Sequence, residues 1–188
     1  YRTSKEALKN AKKIITKTKC DAVKLEGGKK IFEIVKTLVR NNIAVMGHLG
    51  VLPQSAKNFK FKGKKISECN KILNEAKLLE SAGVFSIVLE CVESSLAKKI
   101  TKNINIPTIG IGASNNCDGQ VLVTDDLIGL NPINVRFVKK YSNIRNEMSF
   151  GTMPSVLIND PKSYNFSLIK DKVLFFYFDS NIYNQLVI

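Results

Sequence analysis

The chain has 188 residues, of which 44% are hydrophobic, and its 29 Lys and Arg residues against 16 Asp and Glu give a net charge of +13 at pH 7. This apolar content is enough to bury a core, so the composition excludes an intrinsically disordered protein. No apolar run approaches the roughly 20 residues that cross a bilayer, and we predict no membrane partner. The first residues include no Met and no signal-peptide layout, which leads us to expect an incomplete N-terminus.

The positive charge raises the possibility of nucleic-acid binding, because clustered basic side chains displace counterions from phosphate backbones. The lysines are spread along most of the chain, with residues 57–65 the best local candidate for a basic patch. Bidentate phosphate recognition favours Arg, and only four basic residues are Arg, namely Arg2, Arg40, Arg136 and Arg145. We favour a general excess of Lys, Asn and Ile, as an A+T-rich coding sequence gives, and predict no nucleic-acid partner.

The cysteines show no pattern of a metal site or a disulfide framework. They form no C-x-x-C pair and have no His at zinc-ligand spacing. Three of the four lie in or beside apolar stretches, where Cys behaves as a small hydrophobic residue. The four are Cys20, Cys69, Cys91 and Cys117. This usage favours a reducing compartment, and we predict a cytoplasmic protein.

The first predicted element is a helix, because Thr3 and Glu6 have the spacing of a capping box and apolar residues follow at helical spacing as far as Ile15. Five short apolar runs then predict strands, over residues 22–26, 43–48, 85–92, 107–112 and 120–124. This succession predicts an α/β protein with a parallel sheet.

Amphipathic stretches separate the first four strands and predict helices over residues 31–39, 72–79 and 96–100. The connection from Gly47 to Lys65 is long and has no strong periodicity, a property typical of functional loops. After the last strand, Val135, Val138 and Ile144 predict a further helix. The tail from residue 159 changes character, and its apolar segment 173–178 predicts an extra strand.

Ionisable residues stand where the predicted strands end. Lys24 and Glu26 close the first strand, His48 closes the second and Glu90 the third. The carboxyl ends of parallel strands share one edge of a sheet, which is where chemistry collects in such folds. Lys24 and Glu26 are two residues apart and therefore point to the same face. The sequence thus predicts a polar site at this edge.

Six ordered segments resemble the ketopantoate hydroxymethyltransferase family. They are Val23–Gly28, Gly47–Gly50 with Pro53–Ser55, Val88–Val92, Ile109–Ala113, Asp118–Val123 and Arg136–Tyr141. The resemblance implies a (β/α)8 TIM barrel that transfers a hydroxymethyl group from 5,10-methylenetetrahydrofolate to 3-methyl-2-oxobutanoate, giving 2-dehydropantoate in the first step of pantothenate biosynthesis. It also implies Mg²⁺, which stabilises the substrate's enolate, and assembly as a homo-oligomer.

The resemblance implies a role for each residue at the strand ends. Glu90 matches the general base, and its position after an apolar strand favours partial desolvation and hence greater basicity. Lys24 and His48 match substrate-binding residues, and Glu26 matches the acidic residue of the Mg²⁺ site. Each also has a purely structural interpretation: a surface carboxylate for Glu90, an ion pair for Lys24 and Glu26, and a buried structural histidine for His48.

The chain departs from the family in three ways. The family's first three strands, with two aspartate ligands of Mg²⁺, have no counterpart here, so we expect an incomplete barrel with about the last five βα units. Glu93 and Ser114 replace a usual Pro and Gly. Similarity ends near Met153, which predicts a barrel part over residues 1–153 and a divergent tail over 154–188. The alternative function is a non-catalytic, degenerate or fragmentary barrel protein; a pyruvate-enolate barrel of another family explains the ordered segments less well.

Overall fold

A computed structural model describes residues 2–55 and 60–149, and they form a parallel sheet with the strand order β1-β2-β3-β4-β5. The strands are β1 (Ala22–Glu26), β2 (Ala44–Gly50), β3 (Ser86–Glu90), β4 (Thr108–Ile111) and β5 (Gly119–Gln120). The helices are α1 (Ser4–Thr18), α2 (Phe32–Arg40), α3 (Ile66–Ala82), α4 (Ser94–Asn103), α5 (Thr124–Leu127) and α6 (Ile144–Ser149). The predicted α/β class and parallel sheet are confirmed.

The helix ends follow from local sequence. Thr3 Oγ1 accepts a hydrogen bond from the Glu6 N–H at 3.2 Å, so one donor of the first turn of α1 is satisfied, as the capping box predicts. Helix α3 ends at Gly83, whose φ of +93° is in the left-handed region that glycine adopts without steric cost. The chain then turns directly into β3.

The core lies between one face of the sheet and helices α1 to α4. Strand β1 shows why: Val23 and Leu25 are buried, whereas Lys24 and Glu26 alternate with them and point the other way. The core also takes in Val45 and Leu49 of β2, Ile87 and Leu89 of β3, and apolar residues of the four helices, including Val35, Leu38, Leu79 and Ile100. The predicted ionisable residues thus face away from the helices.

Two predictions at the end of the described chain are wrong. The fifth strand is only Gly119–Gln120, and Thr124 instead begins the short helix α5. The helix expected from Val135 to Ile144 is absent, since helical structure begins only at Ile144. The reason is competition for backbone donors: the N–H of Tyr141 bonds to the carbonyl of Leu127 at 2.8 Å, so this stretch runs beside α5. The predicted strand 173–178 lies outside the described residues.

The described residues divide into two compact units, one ending at Gln120 and one beginning at Val121. The first holds the sheet and helices α1 to α4. The second holds α5 and α6, and within it Asn131 Nδ2 donates to the buried Asp126 at 2.7 Å. No helix in residues 2–55 and 60–149 is both long and apolar enough to cross a membrane.

Candidate functional site

Strand register places three of the predicted residues beside one another on the face that the helices leave uncovered. Glu26 of β1 is paired with His48 of β2, and Gly50, two residues further along β2, is paired with Glu90 of β3. Residues two apart on a strand share a face, so His48 lies between the two carboxylates. The parallel register, rather than closeness in sequence, brings them together.

The imidazole of His48 contacts both carboxylates. Its Nε2 lies 3.2 Å from Glu90 Oε2, and its Nδ1 lies 3.7 Å from Glu26 Oε1. The His48 side chain is 0% exposed, while those of Glu26 and Glu90 are 9% and 14% exposed. Neither ring nitrogen has a partner in full hydrogen-bond geometry among the described residues. The three side chains therefore form a row of carboxylate, imidazole and carboxylate in which the imidazole is fully buried and both carboxylates keep slight exposure.

Lys24 lies on the same face as this row, one pleat before Glu26, and is paired in register with Met46. Its side chain is half-buried. Buried Met46 and Val88 continue the face between the charged residues and give it an apolar floor. This face thus combines charged side chains with an apolar floor.

A contact that the sequence did not predict ties the loop after β2 to the site. The backbone N–H of Gln54 donates to Glu26 Oε2 at 3.2 Å. Gln54 belongs to one of the segments that carry the family resemblance, but its side-chain type gave no signal, because the donor is the backbone. Glu26 thus accepts a hydrogen bond at Oε2, while its Oε1 faces the His48 ring.

Backbone hydrogen bonds beyond the strands hold their ends in place. The Gly27 N–H donates to the His48 carbonyl at 3.0 Å, and the Val51 N–H donates to the Glu90 carbonyl at 2.8 Å. Gly50 has a φ of +98°, and a Cβ there would overlap the Glu90 carbonyl oxygen. Only glycine lets β2 approach the end of β3 this closely.

Cys91 follows Glu90 directly and differs from it in environment. Burial raises the pKa of the Cys91 thiol to about 11, and the neighbouring Glu90 carboxylate contributes in the same direction. Cys91 also has a φ of +49°, an unusual conformation for a residue with a side chain. The thiol is therefore protonated at neutral pH and does not act as a nucleophile at this edge.

One further polar side chain on this face was missed. Ser86 precedes Glu90 by four residues on β3, so it shares the face, and its buried hydroxyl has no hydrogen-bond partner among the described residues. The alternation of Ser86, Val88 and Glu90 in an otherwise apolar run was the available signal.

These residues do not by themselves form a Mg²⁺ site. Within residues 2–55 and 60–149, no group of three or more His, Cys, Asp and Glu side chains is placed to hold a metal ion. Mg²⁺ takes six oxygen ligands in near-octahedral geometry, and Glu26 supplies one carboxylate, whose Oε2 already accepts the Gln54 N–H and whose Oε1 lies 3.7 Å from His48 Nδ1. The role of Glu26 at a metal stays a prediction.

The comparisons with known proteins agree on one family. The ketopantoate hydroxymethyltransferase family model matches residues 1–153. The chain is 74% identical over 149 residues to a 3-methyl-2-oxobutanoate hydroxymethyltransferase of Pelagibacter ubique, covering 79% of this chain and 58% of that protein. It is 48% identical over 153 residues to the enzyme of that name from Clostridium botulinum, covering 79% and 56%.

The chain thus spans less than two thirds of the length of these relatives. Among solved structures, a dihydrodipicolinate synthase from Agrobacterium tumefaciens aligns over 58% of this chain and 39% of that chain. The sequence identity is 14% and the TM-score 0.42, which is too low to indicate a shared fold.

Proposed function

The chain belongs to the ketopantoate hydroxymethyltransferase family, and from this premise we propose that it contributes the proton-transferring residues of a 3-methyl-2-oxobutanoate hydroxymethyltransferase. The single observation that supports the proposal most is that Glu26 and Glu90 both lie within 3.7 Å of the His48 ring at the carboxyl edge of a parallel sheet. The six segments that resemble the family and the names of the relatives point to the same reaction.

In the proposed reaction, Glu90 accepts the proton from C3 of 3-methyl-2-oxobutanoate. The electrons of the broken C–H bond form the enolate, whose negative charge Lys24 helps to hold. The enolate carbon then bonds to the methylene carbon of 5,10-methylenetetrahydrofolate as one of its two C–N bonds breaks. Water displaces the remaining C–N bond and supplies the hydroxyl oxygen, and tetrahydrofolate leaves with the proton taken from C3 and one proton of the water. The Glu90 carboxylate keeps 14% exposure beside the apolar floor, so a substrate that rests on this floor can bring its C3 proton to it.

Mg²⁺ belongs to the proposal through the family resemblance alone. When bound, a divalent ion polarises the substrate's 2-oxo group and makes the neighbouring C–H bond more acidic. Glu26 would lie at its site, directly or through water. The other ligands would have to come from aspartates on strands that have no counterpart in these 188 residues, so no step is assigned to the ion here.

A non-catalytic role is the second candidate, and one observation favours it: the part of the chain that the structure describes contains no group that could hold a metal ion. In that case the row of Glu26, His48 and Glu90 serves the fold rather than a reaction. Measuring catalysis in two forms of the protein separates the candidates.

The experiment follows exchange of the C3 proton of 3-methyl-2-oxobutanoate for deuterium, by proton NMR, in the presence of Mg²⁺. One sample is the 188-residue chain, and the other is a chimera in which the preceding part of the Pelagibacter ubique relative is joined to Tyr1. We expect exchange in the chimera and none in the chain alone, because only the chimera contains the family's metal aspartates. A folded chimera without exchange would favour the non-catalytic role.

Glu90→Gln in the chimera tests the base. The amide has nearly the same shape but cannot accept the proton, so exchange should fall by about 10²-fold or more while the substrate still binds. Glu33→Gln on the exposed surface of α2 is the matched control and should leave exchange unchanged. Exchange retained in Glu90→Gln would remove Glu90 from the role of base.

We also propose a (β/α)8 barrel, a homo-oligomer and a cytoplasmic location. The sequential strand order supports the barrel, because doubly wound sheets reverse their order at a switch point. The four cysteines are all unpaired, as in reducing compartments. The oligomer rests on the family resemblance, and sedimentation of the chimera would measure it.

A further inference from the structure

We propose that His48 is a positioning residue that holds the Glu90 carboxylate through Nε2 and is itself oriented by Glu26 through Nδ1. The position of the imidazole can be tested in this chain alone, whereas its effect on the reaction rate rests on the function proposed above. This role differs from direct substrate contact, which the family resemblance implies for His48.

Burial is the first argument. The His48 side chain is 0% exposed, whereas the two carboxylates beside it keep some exposure. A substrate arriving from solvent therefore meets Glu90 before the imidazole. Direct contact with His48 would require the substrate to displace one of the carboxylates.

The ring nitrogens give the second argument. A buried polar nitrogen without a partner destabilises the folded protein, and His48 has two ring nitrogens with no hydrogen-bond partner in full geometry among the described residues. Each has a carboxylate oxygen as its neighbour, Glu90 Oε2 at 3.2 Å and Glu26 Oε1 at 3.7 Å. A ring N–H at either nitrogen faces a carboxylate oxygen that can accept it, and the Glu90 contact is already at hydrogen-bond distance.

The third argument is that the other parts of the row are fixed. The Gln54 N–H holds Glu26 Oε2, and backbone hydrogen bonds join Gly27 to His48 and Val51 to Glu90. The remaining freedom is rotation of the Glu90 side chain, which the imidazole restrains at Oε2. Glu90 Oε1 is then the oxygen that receives the C3 proton. A base misplaced by about 1 Å can lose roughly 10²-fold in rate, so this restraint matters for catalysis.

The placement is tested on the 188-residue chain by NMR with ¹⁵N-labelled histidine. His48 is the only histidine of the chain, so its two ring nitrogens give the only imidazole signals. We expect an Nε2-bound proton that exchanges slowly enough with water to be observed, because the ring is buried beside a carboxylate. An imidazole whose ring protons all exchange as in free histidine would overturn the proposal without any substituted protein.

Two substitutions then locate the partners. Glu90→Gln should shift the Nε2 signal and leave Nδ1 nearly unchanged, and Glu26→Gln should do the reverse. Glu33→Gln, on the exposed face of α2, should shift neither signal. Equal shifts of both nitrogens in all three variants, or no shift of Nε2 in Glu90→Gln, would also overturn the proposal.

The effect on rate is tested in the active chimera by replacing His48 with two amides. Gln places its amide near the position of Nε2, and Asn places its amide near that of Nδ1. We expect His48→Asn to lower kcat by about 10- to 100-fold, His48→Gln to lose less than about 10-fold, and both to change KM by less than about threefold. A rise in KM at unchanged kcat would instead assign His48 to substrate binding. An inactive chimera would contradict the proposed function, and the NMR measurement would still decide the placement of His48.

Discussion

At the end of β3, the adjacent residues Glu90 and Cys91 show how one peptide step changes a side chain's chemistry. Glu90 points to the open face beside His48, whereas Cys91 is buried with a φ of +49°. Burial raises the pKa of the thiol to about 11, and the Glu90 carboxylate adds to this effect. Glu90 keeps some exposure, whereas the thiol of its buried neighbour stays protonated at neutral pH.

Alkylation measures this difference directly. Because the thiolate is the nucleophile, the rate at Cys91 should increase about tenfold for each pH unit from pH 8 to 10, and Cys20, which is less buried, should react sooner at pH 8. Peptide mapping by mass spectrometry after iodoacetamide treatment gives both rates. Labelling of Cys91 at pH 8 as fast as that of Cys20 would contradict the raised pKa.

The same shift has a consequence for stability. A thiol whose pKa is higher in the folded than in the unfolded protein favours folding while it is protonated in both states. That contribution is full below the ordinary pKa of 9.0 and is lost as the pH rises toward about 11. Deprotonation of Cys91 should therefore contribute to unfolding at alkaline pH.

Among the elements, the contact between α3 and β2 sets the position of His48. Gly47 precedes His48 and faces the helices, and a Cβ at Gly47 would approach Leu79 Cδ1 of α3 to 3.1 Å. The absence of a side chain lets Leu79 pack directly on the strand. The helix face thus fixes the strand whose opposite face carries the site.

Leu79→Ala tests the importance of this packing. The substitution removes a fully buried side chain and leaves a cavity, so the free energy of unfolding should fall by about 2–5 kcal/mol. Ile66→Ala at the first residue of the same helix is the control, because Ile66 is 81% exposed, and it should change stability by no more than about 0.5 kcal/mol. Urea denaturation followed by circular dichroism measures both. Similar losses for the two variants would refute the assignment of the core.

For the whole molecule, the sheet has two different faces. Helices cover one, while the other carries the charged row and the buried side chains Met46 and Val88. The residues of the core cluster come from positions 11–117 of the described chain. The family match extends further, to residue 153.

We therefore propose that residues after Met153 are not needed for this core. A chain that ends at Met153 should keep its helical circular dichroism signal and unfold within a few degrees of the 188-residue chain. The Leu79→Ala variant of the 188-residue chain shows how far the unfolding temperature falls when a core side chain is removed. A truncated protein whose unfolding temperature falls as far as that of the variant, or that fails to fold, would contradict the division at residue 153.

The sequence alone determined the order of the first four strands and helices and the ionisable residues at or near the ends of the first three strands, because apolar periodicity and capping residues are local properties. The second strand runs two residues beyond the predicted end at His48, to Gly50. Family resemblance added the roles expected of Lys24, Glu26, His48 and Glu90. Where local signals were weak, sequence reasoning failed, as in the stretch before Ile144, whose backbone donors bond to the chain around α5.

Only the tertiary structure decided that His48 is buried between two carboxylates and that a backbone N–H of Gln54 holds Glu26. These contacts depend on the register of parallel strands 22 and 42 residues apart along the chain, and on a donor that every non-proline residue possesses. No side-chain pattern encodes either one, because both arise when separate strands pack side by side.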